Sequence, residues 1–412
     1  MTDLPYLVRR SLRDVLARER MQHVPFPMKL DGDEEHLRET MAWLLRAVEH
    51  GEGGVAGHYS LLHGRWLPPF PETTGYVVPT LFDYAALSGE PRYADAAVRL
   101  TEWLREVQHA GGDDDGGCMQ GLYDRRRGKT RPIIFNTGQN VFGFLRAYAE
   151  TGEERFMDSA RRAGDFLARK VDARGVWNAA LHHHIPHTYN ARSAWALLEL
   201  HEATGEARYA EVARANLDWA VAQQAENGWF RNAHFKPGEL PNTHGLAYTT
   251  RGLLESYRLT REPAYLAAAQ RTADKVLRLF EIRKHLYVFW DEGWQNHGKY
   301  FPRMRGRHVC VTGNVQFALV WMRLFELTGD APYASSAFKM VDFVKTLQDL
   351  KSRHEGVRGG VPGAFPLFGS YASLKFPNWA AKFFAEALML KRRLMEDERL
   401  VRPAPQQAEV AR

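Results

Sequence analysis

A helix-start signature that recurs six times is the feature that most constrains how this chain can fold. Each copy places Thr or Asn side chains just before an apolar run, where such side chains satisfy the free backbone N–H groups of a first helical turn. Six starts of this kind predict six apolar helices whose N-terminal ends converge on one cleft. The copies are Glu72-Thr73-Thr74-Gly75, Asn136-Thr137-Gly138-Gln139, His187-Thr188-Tyr189-Asn190, Asn242-Thr243-His244-Gly245, Thr312-Gly313-Asn314 and Pro377-Asn378-Trp379.

A second repeated element, a glycine followed four residues later by an aromatic residue, comes after the apolar helices. It recurs as Gly89 with Tyr93, Gly152 with Phe156, Gly205 with Tyr209 and Gly329 with Tyr333, and a degenerate copy has Thr260 with Tyr265. These elements indicate short connections between helices, and an amphipathic helix with one polar face follows each of them. The alternation of fully apolar and amphipathic helices predicts buried inner helices surrounded by half-exposed outer helices.

The spacing of these aromatic residues gives the number of repeats. Successive positions are 53 to 68 residues apart, which suits a helical-hairpin repeat with variable loops. With an opening outer helix near Glu34 to Val48 and a closing inner helix from Asn378 to about Lys391, the count is six pairs. The sequence therefore predicts an all-α fold, an (α/α)6 toroid of six helical hairpins in an inner and an outer ring.

We predict three segments: a basic helical extension (1–30), the toroid as catalytic domain (31–395) and a disordered tail (396–412). Hydrophobic residues make up 45% and charged residues 25%, which are ordinary values for a globular enzyme. Leu7 to Arg20 is basic and amphipathic, and we favour a helix packed across the ring over one that binds a membrane surface. Without a secretion signal or an apolar run of about 20 residues, a cytoplasmic location is expected, with peripheral contact to the inner membrane left open.

Other partner classes receive less support from the composition. The net charge is +6, but Arg and Lys are dispersed, so we expect no nucleic acid partner. Cys118 and Cys310 are predicted to be free thiols. The run His182 to His184 lacks a matching set of ligands, and the Asp113 to Asp115 loop lacks calcium-loop spacing, so we predict no metal and no cofactor.

Chemistry is concentrated at the third and fourth helix starts. His244, Tyr248 and Arg251 are spaced to project from one helix face, and His187, Tyr189 and Arg192 occupy the equivalent segment before them. A His or Tyr on one face of a uronate can remove its weakly acidic C5 proton, and a Tyr on the other face can return it. We expect His244 or His187 to act as the base, with Tyr189 and Tyr248 as acid/base partners.

Cationic and amide side chains complete the predicted site. Neutralising the uronate carboxylate stabilises the enolate that forms on abstraction, a task that suits Arg192, Arg251, Asn190 and Asn242. Aromatic side chains in the loops offer flat platforms for sugar rings. The remaining predicted substrate-binding residues are Asn136, Asn314, Trp229, Trp290, Trp294, Asn378 and Trp379. Return of the proton would give an epimerase and loss of the O4 substituent a lyase, and the residues leave both open.

Two alternatives remain. Hydrolysis needs two carboxyl groups that flank the glycosidic bond, and Glu72 with Asp291 or Glu292 would supply them. Without catalysis, the cleft would bind a glycan and tether biosynthetic machinery.

Several motifs together resemble a known family. They are Phe70-Pro71-Glu72-Thr73-Thr74-Gly75-Tyr76, Phe135-Asn136-Thr137-Gly138-Gln139, His187-Thr188-Tyr189-Asn190-Ala191-Arg192, Leu253-Leu254-Glu255 after Thr243-His244, Thr312-Gly313-Asn314, and Pro377-Asn378-Trp379-Ala380-Ala381-Lys382. Over about Leu37 to Lys391 the chain resembles bacterial exopolysaccharide and surface-polysaccharide biosynthesis proteins. The resemblance implies a toroid related in shape to uronate lyases, epimerases and unsaturated-glucuronyl hydrolases. It also implies an acidic oligo- or polysaccharide partner, with a lipid-linked acceptor and association with a glycosyltransferase left open.

Overall fold

The computed structural model describes residues 4–21, 31–296, 308–397 and 400. The described residues form thirteen α-helices and five short β-strands. The helices are α1 (Leu4–Met21), α2 (Asp33–Glu49), α3 (Pro71–Ser88), α4 (Pro91–Val107), α5 (Ile134–Thr151), α6 (Glu154–Arg169), α7 (Ala191–Thr204), α8 (Ala207–Ala222), α9 (Thr243–Thr260), α10 (Pro263–Arg283), α11 (Val311–Thr328), α12 (Ala331–Leu347) and α13 (Asn378–Met395). The strands are β1 (His58–Ser60), β2 (Arg65–Trp66), β3 (Val309–Cys310), β4 (Ala364–Phe365) and β5 (Lys375–Pro377).

Helix packing confirms the predicted (α/α)6 toroid. Inner helices α3, α5, α7, α9, α11 and α13 contact one another in that order, and α13 contacts α3 to close the ring. Each inner helix packs against the outer helix that follows it, except that α13 packs against α2. The predicted opening and closing helices are thus α2 and α13, which form one hairpin across the two ends of the chain.

The recurring glycine and aromatic residue have separate physical roles. Gly89 ends α3 in the left-handed region with φ of 73°, a conformation that carries no steric penalty at glycine. The aromatic residue lies buried in the next outer helix. For the tyrosines of the later repeats, the hydroxyl donates to an Asp of the preceding outer helix: Tyr209 to Asp165 (2.8 Å), Tyr265 to Asp218 (2.9 Å) and Tyr333 to Asp274. The repeat therefore links neighbouring outer helices around the ring.

The side chains of the helix-start signature mostly bind neighbouring loops instead of capping their own helices, the role expected from the sequence. Asn242 caps its own helix, since its Oδ1 accepts a hydrogen bond from Gly245 N at 2.7 Å. In α3, α5 and α11 the helix begins before the signature, so the polar side chains fall inside the first turn, and Asn378 is itself the first residue of α13. There they bind loops: Asn136 Nδ2 donates to Met119 O at 2.9 Å, and Asn378 Nδ2 donates to Ala56 O at 3.0 Å. The signature mainly ties the loops to the inner ring.

Helix α1 lies against the C-terminal end of α12. Arg10 is buried, donates to Leu347 O at 2.6 Å and pairs with Asp14 at 2.8 Å. Asp14 in turn accepts from Leu367 N at 3.0 Å, in the loop between β4 and β5. The extension is thus docked on the toroid. In the part of the chain that is described, no helix is long and apolar enough to cross a membrane. Apart from residues 396, 397 and 400, the predicted disordered tail lies outside the described residues.

Candidate active-site cavity

A cavity of about 180 Å³ lies where the N-terminal ends of the inner helices meet. Side chains from α3, α5, α9 and α13 contribute to its walls, together with the loops that precede α7 and α9 and the β4–β5 loop. Most of the wall is aromatic. The lining residues are Phe70, Glu72, Tyr76, Phe135, His182, His183, Tyr189, Phe235, His244, Tyr248, Tyr371 and Trp379.

Glu72 is the only carboxyl group among the described residues that line this cavity. It is the second residue of α3, and its side chain is almost fully buried. Burial raises the pKa of Glu72 to about 8, although the charge of Arg192 acts in the opposite direction. At neutral pH the group therefore carries a proton and faces a sugar-sized space, which is the state of a general acid.

His244 belongs to a chain of hydrogen bonds that runs along the cavity wall. Trp379 Nε1 donates to the Tyr371 hydroxyl at 3.0 Å, and that hydroxyl lies 3.0 Å from His244 Nδ1. Because the indole N–H can only donate, the Tyr371 proton is free to point at Nδ1, and we assign the imidazole proton to Nε2 from this network. Burial, helped by the charge of Arg192, lowers the pKa of His244 to about 3, so the ring is neutral.

Tyr248 and Tyr189 both line the cavity. The ring of Tyr248 meets that of His244 edge-on, with centroids 4.3 Å apart, and Tyr189 packs edge-on against Phe135 at 5.0 Å. Burial raises the pKa of both phenols, and Glu72, which is ionised at the high pH where phenols titrate, adds to the increase. Both hydroxyls are therefore hydrogen-bond donors at neutral pH, and burial opposes the proton-accepting half of the acid/base role expected from the sequence.

His187 lies behind Tyr189 and does not line the cavity. Its ring stacks on that of Tyr189 with centroids 4.4 Å apart and an interplanar angle of 15°. Both ring nitrogens face backbone carbonyls, Nδ1 at 3.0 Å from His234 O and Nε2 at 2.9 Å from His182 O. With neither nitrogen directed at the cavity, the placement differs from that of a base and suits a residue that positions Tyr189.

Arg192 and Arg251 also lie outside the cavity lining, contrary to their expected role as carboxylate anchors. Arg192 is buried, donates through Nε to Gln139 Oε1 at 2.6 Å and is surrounded by aromatic rings. Arg251 is ion-paired with Glu386 and lies 3.6 Å from Glu255. The positive charge of Arg192 acts on the site from behind its wall, because it lowers the pKa of both Glu72 and His244.

The expected amide ligands are engaged in the scaffold. Asn136, Asn242, Asn314 and Asn378 bind backbone groups of neighbouring loops or of their own helix, and none of them lines the cavity. Asn190 is buried, and its Oδ1 has no hydrogen-bond partner within the described residues. Asn136, Asn314 and Asn378 thus tie loops to the inner helices, and Asn242 caps α9.

Of the four tryptophans expected to contact substrate, only Trp379 lines the cavity. Trp290 and Trp294 are each 1% exposed and pack together 6.0 Å apart, while Trp229 donates to Trp290 O at 3.2 Å. The segment that follows Trp290 carries Asp291 and Glu292. Neither carboxyl group lines the cavity, and the Glu292 side chain is 63% exposed. The expected pairing of Glu72 with Asp291 or Glu292 is therefore wrong for this cavity.

Sequence reasoning missed several lining residues, of which Tyr371 matters most. Tyr371 lies in the β4–β5 loop, far from any helix-start signature, and reaches His244 only because that loop folds back over the ring. The only signal in the sequence was the Gly-rich aromatic stretch from Gly360 to Phe365 just before it. Tyr76, one turn after Glu72, could have been found from helical spacing. Elsewhere, no group of three or more His, Cys, Asp or Glu side chains in the described residues is arranged to hold a metal ion.

The fold is shared with solved carbohydrate-active enzymes at low sequence identity. An unsaturated glucuronyl hydrolase specific for heparin is 16% identical with a TM-score of 0.68, covering 88% of this chain and 98% of its own. An unsaturated glucuronyl hydrolase from Bacillus sp. GL1 is 15% identical (TM-score 0.65, 90% and 98%). Cellobiose 2-epimerase from Bacillus thermoamylovorans B4167 is 12% identical (0.67, 88% and 98%). At this identity the likeness concerns the fold alone.

The family of this protein is identified from its sequence. No curated protein matches the chain. Residues 68–337, about two thirds of the chain, match the family described as the β-L-arabinofuranosidase GH127 catalytic domain. The matched region begins just before Glu72 and includes the helix starts of α3, α5, α7, α9 and α11. The protein is thus a carbohydrate-active enzyme of the α/α toroid type and belongs to the β-L-arabinofuranosidase-like GH127 catalytic domain family.

Proposed function

We propose that the protein is a glycoside hydrolase that cleaves a single terminal sugar unit from a glycan, with Glu72 as the general acid. The observation that carries this proposal is the buried Glu72 carboxyl group, whose pKa of about 8 keeps it protonated beside an aromatic cavity. A raised carboxyl pKa is what acid catalysis of glycoside cleavage requires, because the leaving oxygen must receive a proton as its bond to the sugar breaks.

The size of the cavity supports a terminal unit as the substrate. Its volume of about 180 Å³ is below the roughly 300–1,000 Å³ of pockets for drug-sized ligands. Phe70 and Trp379 pack edge-on with centroids 6.2 Å apart and offer apolar surface to a sugar ring. The rest of the glycan would extend away from this space.

The lining favours an uncharged sugar over the uronate expected from the sequence. Among the described residues, neither Arg nor Lys lines the cavity, so a substrate carboxylate would lack a charged partner. The neutral His244 would instead donate its Nε2 proton to a sugar oxygen, and the phenols of Tyr248 and Tyr76 would do the same. Because the family description names a β-L-arabinofuranosidase, a neutral furanoside is the first substrate to test.

A panel of nitrophenyl glycosides that includes the β-L-arabinofuranoside tests this proposal. We expect one neutral glycoside to be hydrolysed by the wild-type protein and the Glu72→Gln variant to bind it with little turnover. Glu292→Gln serves as the matched control, since its carboxyl group lies outside the cavity. Equal turnover by wild type and Glu72→Gln would contradict the acid role.

A second candidate is proton abstraction from a sugar carbon, as in an epimerase or a lyase. It is favoured by the single carboxyl group of the described cavity lining, since most glycosidases use two. Here the ionised fraction of Glu72, which grows as the pH rises toward 8, would accept the proton from carbon and return it, while His244 would polarise the adjacent carbonyl oxygen through Nε2–H. Incubation of reducing disaccharides and uronate-containing oligosaccharides in deuterated water tests it. Carbon-bound deuterium in uncleaved sugar would favour this candidate, and so would an unsaturated fragment. A place in surface-polysaccharide synthesis stays a prediction from the resemblance.

A further inference from the structure

A second cavity, lined mainly by cationic side chains, lies between α1 and the loop that follows α12. Its volume is about 410 Å³, and it is separate from the aromatic cavity. Five Arg or Lys side chains and one carboxylate, Asp349, line it, so its lining carries a net charge of +4 before His354 is counted. The whole chain carries only +6. The lining residues are Tyr6, Arg9, Arg10, Arg13, Asp349, Lys351, Ser352, Arg353 and His354.

The buried guanidinium group of Arg10 places a hydrogen-bond donor in the wall of this cavity. The residue is 3% exposed and is held by Asp14 at Nε (2.8 Å) and by Leu347 O at Nη2 (2.6 Å). Its third nitrogen, Nη1, is buried and makes no geometrically good hydrogen bond within the described residues, while the Tyr6 hydroxyl lies beside the guanidinium group. A buried charged donor left without a partner is costly, so an acceptor that reaches it from the cavity gains the full hydrogen bond.

The remaining cations surround this donor from two elements. Arg9 and Arg13 lie one turn apart on α1 with exposed side chains, while exposed Lys351 and Arg353 come from the facing loop. These four cations and Arg10 outnumber Asp349, the single carboxylate among the described lining residues. Guanidinium groups arranged in this way match the oxygens of phosphoryl groups, which accept paired N–H donors.

We propose that this cavity is a binding site for a phosphoryl group, of a size and charge that suit a diphosphate. The site is independent of the aromatic cavity and its reaction. A soluble molecule that carries a diphosphate and a phosphorylated lipid headgroup would present the same chemistry. In the second case, the site would hold the enzyme at the surface that carries its substrate.

Calorimetry with inorganic pyrophosphate and flotation with vesicles test the site and distinguish its two sources. We expect pyrophosphate to bind at one site, with an affinity that falls as salt rises, because exposed charges are screened. For a lipid headgroup, phosphatidylcholine vesicles that contain phosphatidic acid would carry the protein, whereas pure phosphatidylcholine vesicles would not.

Two double variants locate the binding. Lys351→Gln with Arg353→Gln should weaken binding at least tenfold, and Arg9→Gln with Arg13→Gln should do the same from the opposite wall. Arg127→Gln with Arg174→Gln removes the same charge from highly exposed positions elsewhere and should leave binding unchanged. The proposal is overturned if the wild type binds neither pyrophosphate nor acidic vesicles, or if the control variant loses as much affinity as the cavity variants.

Discussion

The hydroxyl of Tyr371 lies 3.0 Å from Nδ1 of His244 and also accepts a hydrogen bond from the Trp379 indole. This contact joins the β4–β5 loop to the fourth inner helix and assigns the imidazole proton of His244, a lining residue of the cavity, to Nε2. Tyr371→Phe should lower kcat by tenfold or more while the protein stays folded, because His244 loses the partner that fixes its tautomer. Kinetics at saturating substrate would show this, with Tyr148→Phe as the control on an exposed tyrosine contact. Unchanged kcat would contradict the positioning role.

Glu72→Gln should reduce turnover by roughly 10²–10⁴-fold, the usual contribution of a general acid. The loss should depend on the leaving group, since an alkyl alcohol needs a proton more than nitrophenol does. Comparing methyl and nitrophenyl glycosides of the same sugar in wild type and variant measures that difference. An equal loss on both substrates would indicate that Glu72 binds the sugar without donating a proton.

The pH profile should report the raised pKa of Glu72. The active form is protonated, so kcat/KM should be high below pH 8 and fall as the pH rises through about 8. His244 should contribute no limb between pH 5 and 8, because its pKa of about 3 keeps it neutral there. An acidic limb close to the ordinary carboxyl pKa, without a fall near pH 8, would contradict the proposed protonation state.

The free energy of unfolding should also depend on pH because of the raised pKa of Glu72. The pKa of Glu72 is raised from 4.5 to about 8, so the folded state holds this proton more tightly than the unfolded state. Its contribution is fully present below pH 4.5 and is lost progressively up to about pH 8. Denaturant unfolding of wild type and Glu72→Gln at pH 5 and pH 8 would measure it, and the variant should gain relative to wild type as the pH rises. No change in that difference would count against a buried neutral carboxyl.

Arg251→Met should destabilise the fold, because Glu386 and Glu255 then remain buried without this partner. Removing one member of a buried ion pair typically costs about 3–5 kcal/mol. Arg174→Met, at an exposed pair, should change the free energy of unfolding by less than about 0.5 kcal/mol. Urea unfolding compares them, and a stable Arg251→Met protein with weakened substrate binding would restore Arg251 as a substrate ligand.

The architecture could be predicted from the sequence because it rests on local, repeated patterns. Glycine ends most of the inner helices, and a buried tyrosine or phenylalanine follows in the next outer helix, so helix count and ring closure could be predicted from the spacing. Glu72, His244, Tyr189, Tyr248 and Trp379 were also placed on the cavity side, since they stand at or near helix starts that converge.

The site predictions that differ from the structure concern residues whose positions depend on contacts between distant parts of the chain. Arg251 shares a helix face with His244, but the paired carboxylate of Glu386, 135 residues away, holds it in the interior. His187 lies at a helix start, but both of its ring nitrogens face backbone carbonyl oxygens. Tyr371 carries no helical pattern and enters the cavity through loop folding. Burial and pairing decide these roles, and periodicity does not encode them.

The most direct test of the central claim is mass spectrometry of the products formed in oxygen-18 water from the methyl glycoside of the best substrate. Cleavage with Glu72 as acid predicts one oxygen-18 atom at the new reducing end of the released sugar. It also predicts no carbon-bound deuterium in a parallel reaction in deuterated water, and little release of the labelled sugar by Glu72→Gln. Uncleaved sugar that gains carbon-bound deuterium would contradict the hydrolase and move the assignment to proton abstraction.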